Sequence, residues 1–203
     1  MTNQGKVRWG ILGGARINQQ LMPAIVSAHN SELVAIASRR PGAAKETLSL
    51  YAPEEKGVRI FNHFEDLLAD DTIQAVYIPL ANFEHAHWTI KALEAGKHVL
   101  CEKPTAMNAA EAAEMLKVAN ENNKIHMIDH ELRFNPNRKK IKEWISSGDI
   151  GDIQHINILN VSNGWLSPDA RAKNDWWSLK SRGGGRMGAN GSHQVDLIRW
   201  WCG

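Results

Sequence analysis

Short apolar runs alternate with helical stretches from the start of this 203-residue chain, and this alternation constrains the fold more than any other feature. It is typical of a parallel sheet with helices on both faces, because each parallel strand needs a crossover segment before the next strand. The run 33–37 is apolar at consecutive positions, which fits a strand buried on both faces. The pattern predicts an α/β fold with a doubly wound sheet of six strands, at residues 7–12, 33–37, 58–61, 75–78, 98–101 and 125–129.

The stretches between these strands have helical spacing and recognisable ends. Gly96 is placed to end a helix with a positive φ, and Asn108 with Glu111 forms a capping arrangement at the start of the next helix. These signals predict helices at residues 15–28, 41–51, 64–69, 83–95 and 109–122.

The chain changes character after residue 130. A helix is predicted at residues 136–147, ended by Gly148, and a longer strand of mixed polarity at residues 153–161. Six of the eight tryptophans lie near the C-terminus, and we expect them to expose a large apolar surface. The sequence therefore predicts two domains, residues 1–130 and residues 131–203.

Composition argues against several classes of protein. The 24 basic and 22 acidic residues give a net charge of +2, and the basic residues do not cluster beside aromatic ones, so no nucleic-acid partner is expected. Cys101 and Cys202 form neither a disulfide framework nor a structural zinc site, which favours the reducing cytoplasm. The longest apolar run, 33–37, is far shorter than the roughly 18 residues of a membrane span, so no membrane partner is expected.

The turn after the first predicted strand stands where a dinucleotide-binding glycine motif would stand. Gly13 can form the tight turn, and the free N–H groups of the following helix N-terminus can bind a pyrophosphate. Asn18 occupies the position where a third glycine normally lets helix and strand pack closely. The predicted coenzyme contacts of this turn are Gly13, Gly14, Ala15, Arg16 and Ile17. The alternative is that this segment is an ordinary strand-to-helix turn.

The second predicted strand ends in Ser38, Arg39 and Arg40, rather than in the carboxylate that binds the ribose of NAD. A hydroxyl group beside two guanidinium groups suits a 2′-phosphate, because arginine pairs with phosphate oxygens through two parallel hydrogen bonds. These residues therefore favour NADP. NAD stays open as the coenzyme if both arginines are only solvated loop charges.

The densest motif runs from the fourth to the fifth predicted strand and ends in Glu102-Lys103-Pro104. Together with Arg133-Phe134-Asn135-Pro136 and Gly191-Ser192-His193, it resembles the Gfo/Idh/MocA family of nicotinamide-dependent sugar and polyol oxidoreductases. The resemblance covers residues 7–203 and implies a Rossmann domain followed by an α/β domain with a large open sheet. It also implies hydride transfer between NADP or NAD and a sugar, polyol or related hydroxy or keto substrate.

Lys103 and His193 are the predicted catalytic residues. Lys103 follows a strand end, where open α/β sheets bind ligands, and its amine can donate or accept the hydroxyl proton of a substrate. In the family, a histidine at the position of His193 works with this lysine. Family members with the full catalytic set carry an aspartate four residues earlier, where this chain has Ala189, and we expect the substitution to weaken or re-tune the pair.

The resemblance implies further coenzyme contacts. Asn82 and His85 resemble the loop on the nicotinamide side, and a helix N-cap is the alternative role of Asn82. His85 and His87 lack a third ligand, so no metal is expected. The remaining predicted coenzyme-binding residues are Pro79, Leu80, Glu102, Lys103 and Arg133.

Proteins of this family are considerably longer than this chain, which has too few strands after residue 130 for the expected second sheet. We expect either a longer natural protein or a homo-oligomer that buries the apolar surface. Two alternatives to a reductase stay open. One is a non-catalytic nucleotide-binding homologue, favoured by Ala189, and the other is a redox-assisted, NAD-dependent lyase or glycosidase.

Overall fold

The computed structural model describes residues 5–161 and 175–203. The chain divides into two compact units, Met1–Ile128 and Asp129–Gly203. Six strands form one sheet: β1 (Val7–Leu12), β2 (Ser31–Ala37), β3 (Arg59–Phe61), β4 (Ala75–Ile78), β5 (His98–Glu102) and β6 (His126–Asp129).

The strand order of this sheet is β3-β2-β1-β4-β5-β6. β1 pairs in parallel with both β2 and β4, and β2–β3 and β4–β5 are parallel as well. The order reverses direction beside β1, which creates a crevice at the carboxyl ends of β1 and β4. The predicted doubly wound α/β fold is confirmed.

Five helices lie between the strands: α1 (Asn18–Ser27), α2 (Ala43–Tyr51), α3 (Phe64–Leu68), α4 (His85–Glu94) and α5 (Ala109–Glu121). Alternate strand residues point to opposite faces of the sheet, so β1 sends Ile11 to one apolar cluster and Leu12 to the other. The first cluster is completed by α1 and α2, and the second by α3, α4 and α5. The sheet is therefore buried on both faces, as the consecutive apolar residues predict.

The helix ends follow local capping chemistry. Gly96 has a φ of +76° after α4, and the Asn108 side chain accepts a hydrogen bond from the Glu111 amide at the start of α5, as predicted. α2 begins at Ala43, two residues later than predicted, because Gly42 at its N-cap has a left-handed conformation (φ +75°) that a helix cannot include.

The second unit contains α6 (Pro136–Ser147) and α7 (Ser192–Cys202), together with short 3₁₀ segments and a π-helical segment, Met187–Gly191. The strand predicted at residues 153–161 is not formed: residues 153–161 have no regular secondary structure. A strand requires a hydrogen-bonded neighbour, and the described residues after Asp129 contain no other strand to pair with it.

The tryptophans of the second unit differ in burial. Trp201 is buried, and its indole N–H donates to the carbonyl of Arg138 on α6 at 3.1 Å, so Trp201 does not contribute to the large apolar surface expected of the tryptophans. Trp165 lies outside the described residues. Apolar side chains are nevertheless exposed in this unit, and they include Phe134, Trp144, Leu159, Val161 and Met187.

Candidate functional site

The turn between β1 and α1 requires glycine at two positions. Gly13 has a φ of +123°, and a Cβ atom built on it would lie 2.9 Å from Leu80 Cδ2. A Cβ atom on Gly14 would lie 2.8 Å from the Thr47 hydroxyl oxygen. Side chains at these positions would therefore displace the loop after β4 or the start of α2.

The start of α1 offers free backbone donors. The first amide hydrogen bond at this end is donated by Asn18 to the carbonyl of Ala15, at 3.1 Å, whereas the amides of residues 14–17 donate to no acceptor in the described part of the chain. Unpaired N–H groups at a helix N-terminus carry partial positive charge and bind phosphate oxygens. The turn therefore fits the pyrophosphate of a dinucleotide, and it holds Arg16 exposed and Ile17 packed against the α1–α2 face.

Asn18 has a defined place in this turn, although the sequence makes it the least expected residue there. Its side chain is fully buried, and Nδ2 donates to the Gly13 carbonyl at 2.9 Å. This hydrogen bond ties the start of α1 to the glycine turn. The close helix–strand packing that a third glycine normally provides is therefore replaced by a side-chain hydrogen bond.

Ser38, Arg39 and Arg40 lie together after β2. The Ser38 hydroxyl accepts a hydrogen bond from the Arg40 amide at 3.2 Å, and the Arg40 side chain is 71% exposed. The Arg39 guanidinium forms an ion pair with Glu84 and lies over the Phe64 ring at 4.9 Å. The end of β2 therefore carries the hydroxyl group and the two guanidinium groups of the predicted 2′-phosphate site, which stays a prediction.

His85 lies in the core and not on the surface of the crevice. Its side chain is fully buried, with Nδ1 2.7 Å from the Pro104 carbonyl and Nε2 3.0 Å from the Leu80 carbonyl. Burial lowers the pKa of His85, both carbonyls oppose that effect, and the charge of Lys103 adds to it. A neutral imidazole has one N–H and donates to one of the two carbonyls. This geometry does not fit the direct coenzyme contact predicted for His85, because both ring nitrogens face backbone.

The loop after β4 lies beside the glycine turn. Pro79 is buried. Leu80 packs against the α3–α5 face of the sheet, and its side chain also limits the space at Gly13. Asn82 is buried and begins the 3₁₀ segment Asn82–Glu84, whose N-cap is Ala81. Asn82 is therefore the first residue inside this segment, and its predicted coenzyme contact stays a prediction.

Lys103 directly follows β5 and is half-buried. The buried Glu102 carboxylate accepts a hydrogen bond from the Tyr77 hydroxyl at 2.8 Å and another from the Lys103 amide at 3.2 Å. Glu102 thereby fixes the backbone from which the Lys103 side chain extends. Since β4 and β5 are neighbours, the Tyr77 contact joins the two strand ends next to the crevice.

His193 and Arg133 lie within the second unit. Nε2 of the buried His193 is 3.8 Å from a Glu131 carboxylate oxygen, and its ring meets that of His130 edge to face, with centroids 5.7 Å apart. Arg133 donates two hydrogen bonds, of 2.7 and 2.5 Å, to the Asp196 carboxylate. These hydrogen bonds raise the pKa of Arg133. The unit therefore supplies a carboxylate close to His193, although residue 189 is alanine.

Three residues near the predicted site escaped the sequence reasoning: Tyr77, Glu84 and Glu131. A buried tyrosine hydroxyl needs a partner, so Tyr77 inside a buried strand could have been flagged. Glu84 and Glu131 contact Arg39 and His193, which are distant from them in sequence, and no local sequence pattern predicts such pairs.

Among the described residues, no group of three or more His, Cys, Asp or Glu side chains is arranged to hold a metal ion. None of the described helices combines the length and apolar character needed to cross a bilayer.

Comparison with known proteins gives two family matches. Residues 7–130 match the oxidoreductase family with an NAD-binding Rossmann fold, named for GFO, IDH and MocA, and residues 139–203 match a GFO/IDH/MocA C-terminal domain.

Three individual proteins illustrate the similarity. The chain is 38% identical over 152 residues to an uncharacterized oxidoreductase of Rhizobium meliloti, covering 74% of this chain and 44% of that protein. It is 33% identical over 195 residues to a 1,5-anhydro-D-fructose reductase of Ensifer adhaerens, covering 95% and 56%. A crystal structure of a 3-ketoreductase from Actinomadura kijaniata with NADP and TDP-benzene is 32% identical, with a TM-score of 0.67, covering 74% and 45%. The chain spans about half the length of the curated relatives it matches.

Proposed function

Because the chain belongs to the GFO/IDH/MocA oxidoreductase family, with its NAD-binding Rossmann fold, we propose that it is an NADP(H)-dependent reductase or dehydrogenase of a sugar, polyol or related compound. One observation carries the proposal: Lys103 directly follows β5, at the same edge of the sheet as the glycine turn after β1. An anion-binding turn and an amine therefore share the crevice edge where open α/β sheets bind their ligands.

The coenzyme would be held by backbone and side-chain groups of the first unit. The free amides of residues 14–17 suit its pyrophosphate, and Ser38, Arg39 and Arg40 suit its 2′-phosphate. The 3-ketoreductase of Actinomadura kijaniata contains NADP, which supports this choice over NAD. When bound, the nicotinamide supplies or accepts the hydride.

Lys103 would move the proton. In reduction its amine donates to the carbonyl oxygen of the substrate as that oxygen gains negative charge, and in oxidation it accepts the hydroxyl proton. Glu102 and Tyr77 hold the backbone at this position, so the Lys103 side chain extends from a fixed backbone position. His193, beside Glu131, would assist the proton transfer or position the substrate.

Turnover of NADPH with a panel of keto sugars tests this function. We expect the absorbance of NADPH to fall with at least one substrate and Lys103→Met to lower kcat by about 10²- to 10⁴-fold, the range for one acid–base group. Lys117→Met, which removes an exposed lysine of α5, is the matched control and should retain activity. Full activity of the Lys103 variant would refute the assigned role.

A second candidate function is nucleotide binding without catalysis. Ala189 favours it, because this buried position cannot supply the carboxylate that family members with the full catalytic set carry. Tight NADPH binding with no turnover of any substrate would support this alternative, whereas turnover would exclude it. The second unit would then still form part of a substrate or oligomerisation domain, consistent with its family match and exposed apolar side chains. The homo-oligomer and the cytoplasmic location stay predictions.

A further inference from the structure

The Arg39–Glu84 ion pair joins two loops that flank the glycine turn. Arg39 follows β2 and Glu84 follows β4, and these strands lie on either side of β1 in the sheet. All three loops leave the carboxyl ends of parallel strands. The ion pair therefore connects the two sides of the crevice in which the proposed coenzyme would lie.

The pair holds Arg39 in a defined place. The Glu84 side chain is only 14% exposed, whereas the Arg39 side chain is 53% exposed and rests over the Phe64 ring. The Glu84 carboxylate is thus held among buried residues at the side of the crevice. The Arg39 guanidinium lies between this carboxylate and the solvent. A ring face and a carboxylate together restrain the planar guanidinium.

Arg40 is held much less firmly. Its side chain is 71% exposed, and the nearest approach to Glu46 is 3.8 Å, between two solvated groups. Exposed ion pairs of this kind contribute little free energy to the folded state. The sequence assigns the guanidinium groups of Arg39 and Arg40 to a 2′-phosphate. Arg39 is the one that is firmly paired, and it would have to exchange the Glu84 carboxylate for the phosphate.

We propose that Glu84 sets the preference between NADP(H) and NAD(H), because its carboxylate competes with the 2′-phosphate for Arg39. The inference rests on the coenzyme binding proposed above. A phosphate that approaches Arg39 must displace Glu84 or share the guanidinium with it, and either arrangement places two anions near one cation. NAD(H) carries a hydroxyl group there and leaves the Arg39–Glu84 pair intact, so Glu84 weakens NADP(H) binding selectively.

Glu84→Gln tests the proposal, since glutamine keeps the shape of the side chain and removes its charge. Titrating the purified variant with NADPH and with NADH, followed by coenzyme fluorescence, gives two dissociation constants that do not depend on turnover. We expect the NADPH dissociation constant to fall about two- to fivefold, the range of a partly exposed ion pair, and the NADH constant to stay the same. Glu114→Gln removes one negative charge from the exposed face of α5 and should change neither constant.

A double-mutant cycle identifies the residue through which Glu84 acts. Arg39→Gln should weaken NADPH binding by itself, and adding Glu84→Gln to it should bring no further change. An equal gain from Glu84→Gln in both backgrounds would overturn the proposal, because the carboxylate would then act on the phosphate without Arg39. Unchanged NADPH binding in the single variant would overturn it too, as would weaker NADH binding, which would place Glu84 on the ribose hydroxyl.

These outcomes separate the inference from the proposed function. If the parent protein binds neither NADPH nor NADH, the proposed function fails. If it binds them and Glu84→Gln leaves their ratio unchanged, only the inference about Glu84 fails. Circular dichroism of each variant checks that the fold is retained.

Discussion

The two units of this chain stabilise their elements in different ways. In the first unit, strand residues such as Tyr77 and Ile78 are fully buried between two helical layers. In the second, α6 and α7 are joined by contacts such as Trp201 with Arg138, while Leu159 and Val161 are largely exposed. An apolar pattern determines structure where the same unit supplies the surface that covers it, and less so where it does not.

The largest expected effect contrasts one leucine of each unit. Leu93 is fully buried in α4, so Leu93→Ala should lower the free energy of unfolding by about 2–5 kcal/mol, through lost burial and the cavity left behind. Leu159 is 86% exposed, and Leu159→Ala should change the free energy of unfolding by less than about 0.5 kcal/mol. Urea denaturation followed by circular dichroism measures both. A large cost at Leu159 would show that the second unit buries this residue in solution, for instance against another copy, and would remove the contrast.

A smaller effect is expected at Asp70, in the loop before β4. Burial opposes ionisation, yet hydrogen bonds from the Thr72 hydroxyl and amide, with the charges of Arg59 and Lys97, lower the pKa of Asp70 below 3.8. The folded state thus favours the ionised carboxylate. The stability it contributes is complete above the unfolded value and is lost as the pH falls through the lower, folded value.

Asp70→Asn should therefore cost about 1–2 kcal/mol near neutral pH and much less once the pH falls below the lowered pKa of Asp70, where the parent carboxylate takes up a proton. Urea denaturation across this pH range measures the difference. Asp71→Asn, which alters the adjacent exposed carboxylate, is the control and should cost less than Asp70→Asn near neutral pH. A cost for Asp70→Asn that is the same at both pH values would mean that the ionised form is not favoured by the fold.

The same contrast explains how far sequence reasoning reaches. β4 and α6 have the bounds that the pattern predicts, because turn and capping residues mark their ends. Residues 153–161 also have a strand pattern, of mixed polarity, but a strand exists only with a hydrogen-bonded neighbour, and no local signal reveals whether one is available. The site divides similarly: the glycine turn and Lys103 lie at strand ends that can be read locally. The inward orientation of His85 and the Arg39–Glu84 pair depend on loops brought together by the sheet order.

The smallest expected effect compares helix caps in the two units. The Asn108 side chain accepts from the Glu111 amide at the start of α5, and that of Asn135 accepts from the amides of Asn137 and Arg138 at the start of α6. Replacing either asparagine with alanine leaves amides without their side-chain acceptor, and should cost about 1 kcal/mol. The two variants should differ in which unit they destabilise. Asn108→Ala should shift the denaturation of the first unit, and Asn135→Ala only that of the second, as followed by amide hydrogen exchange resolved along the sequence. If Asn135→Ala also increased exchange in β1 and β4, the two units would unfold as one cooperative body, and the contrast between them would concern burial alone and not stability.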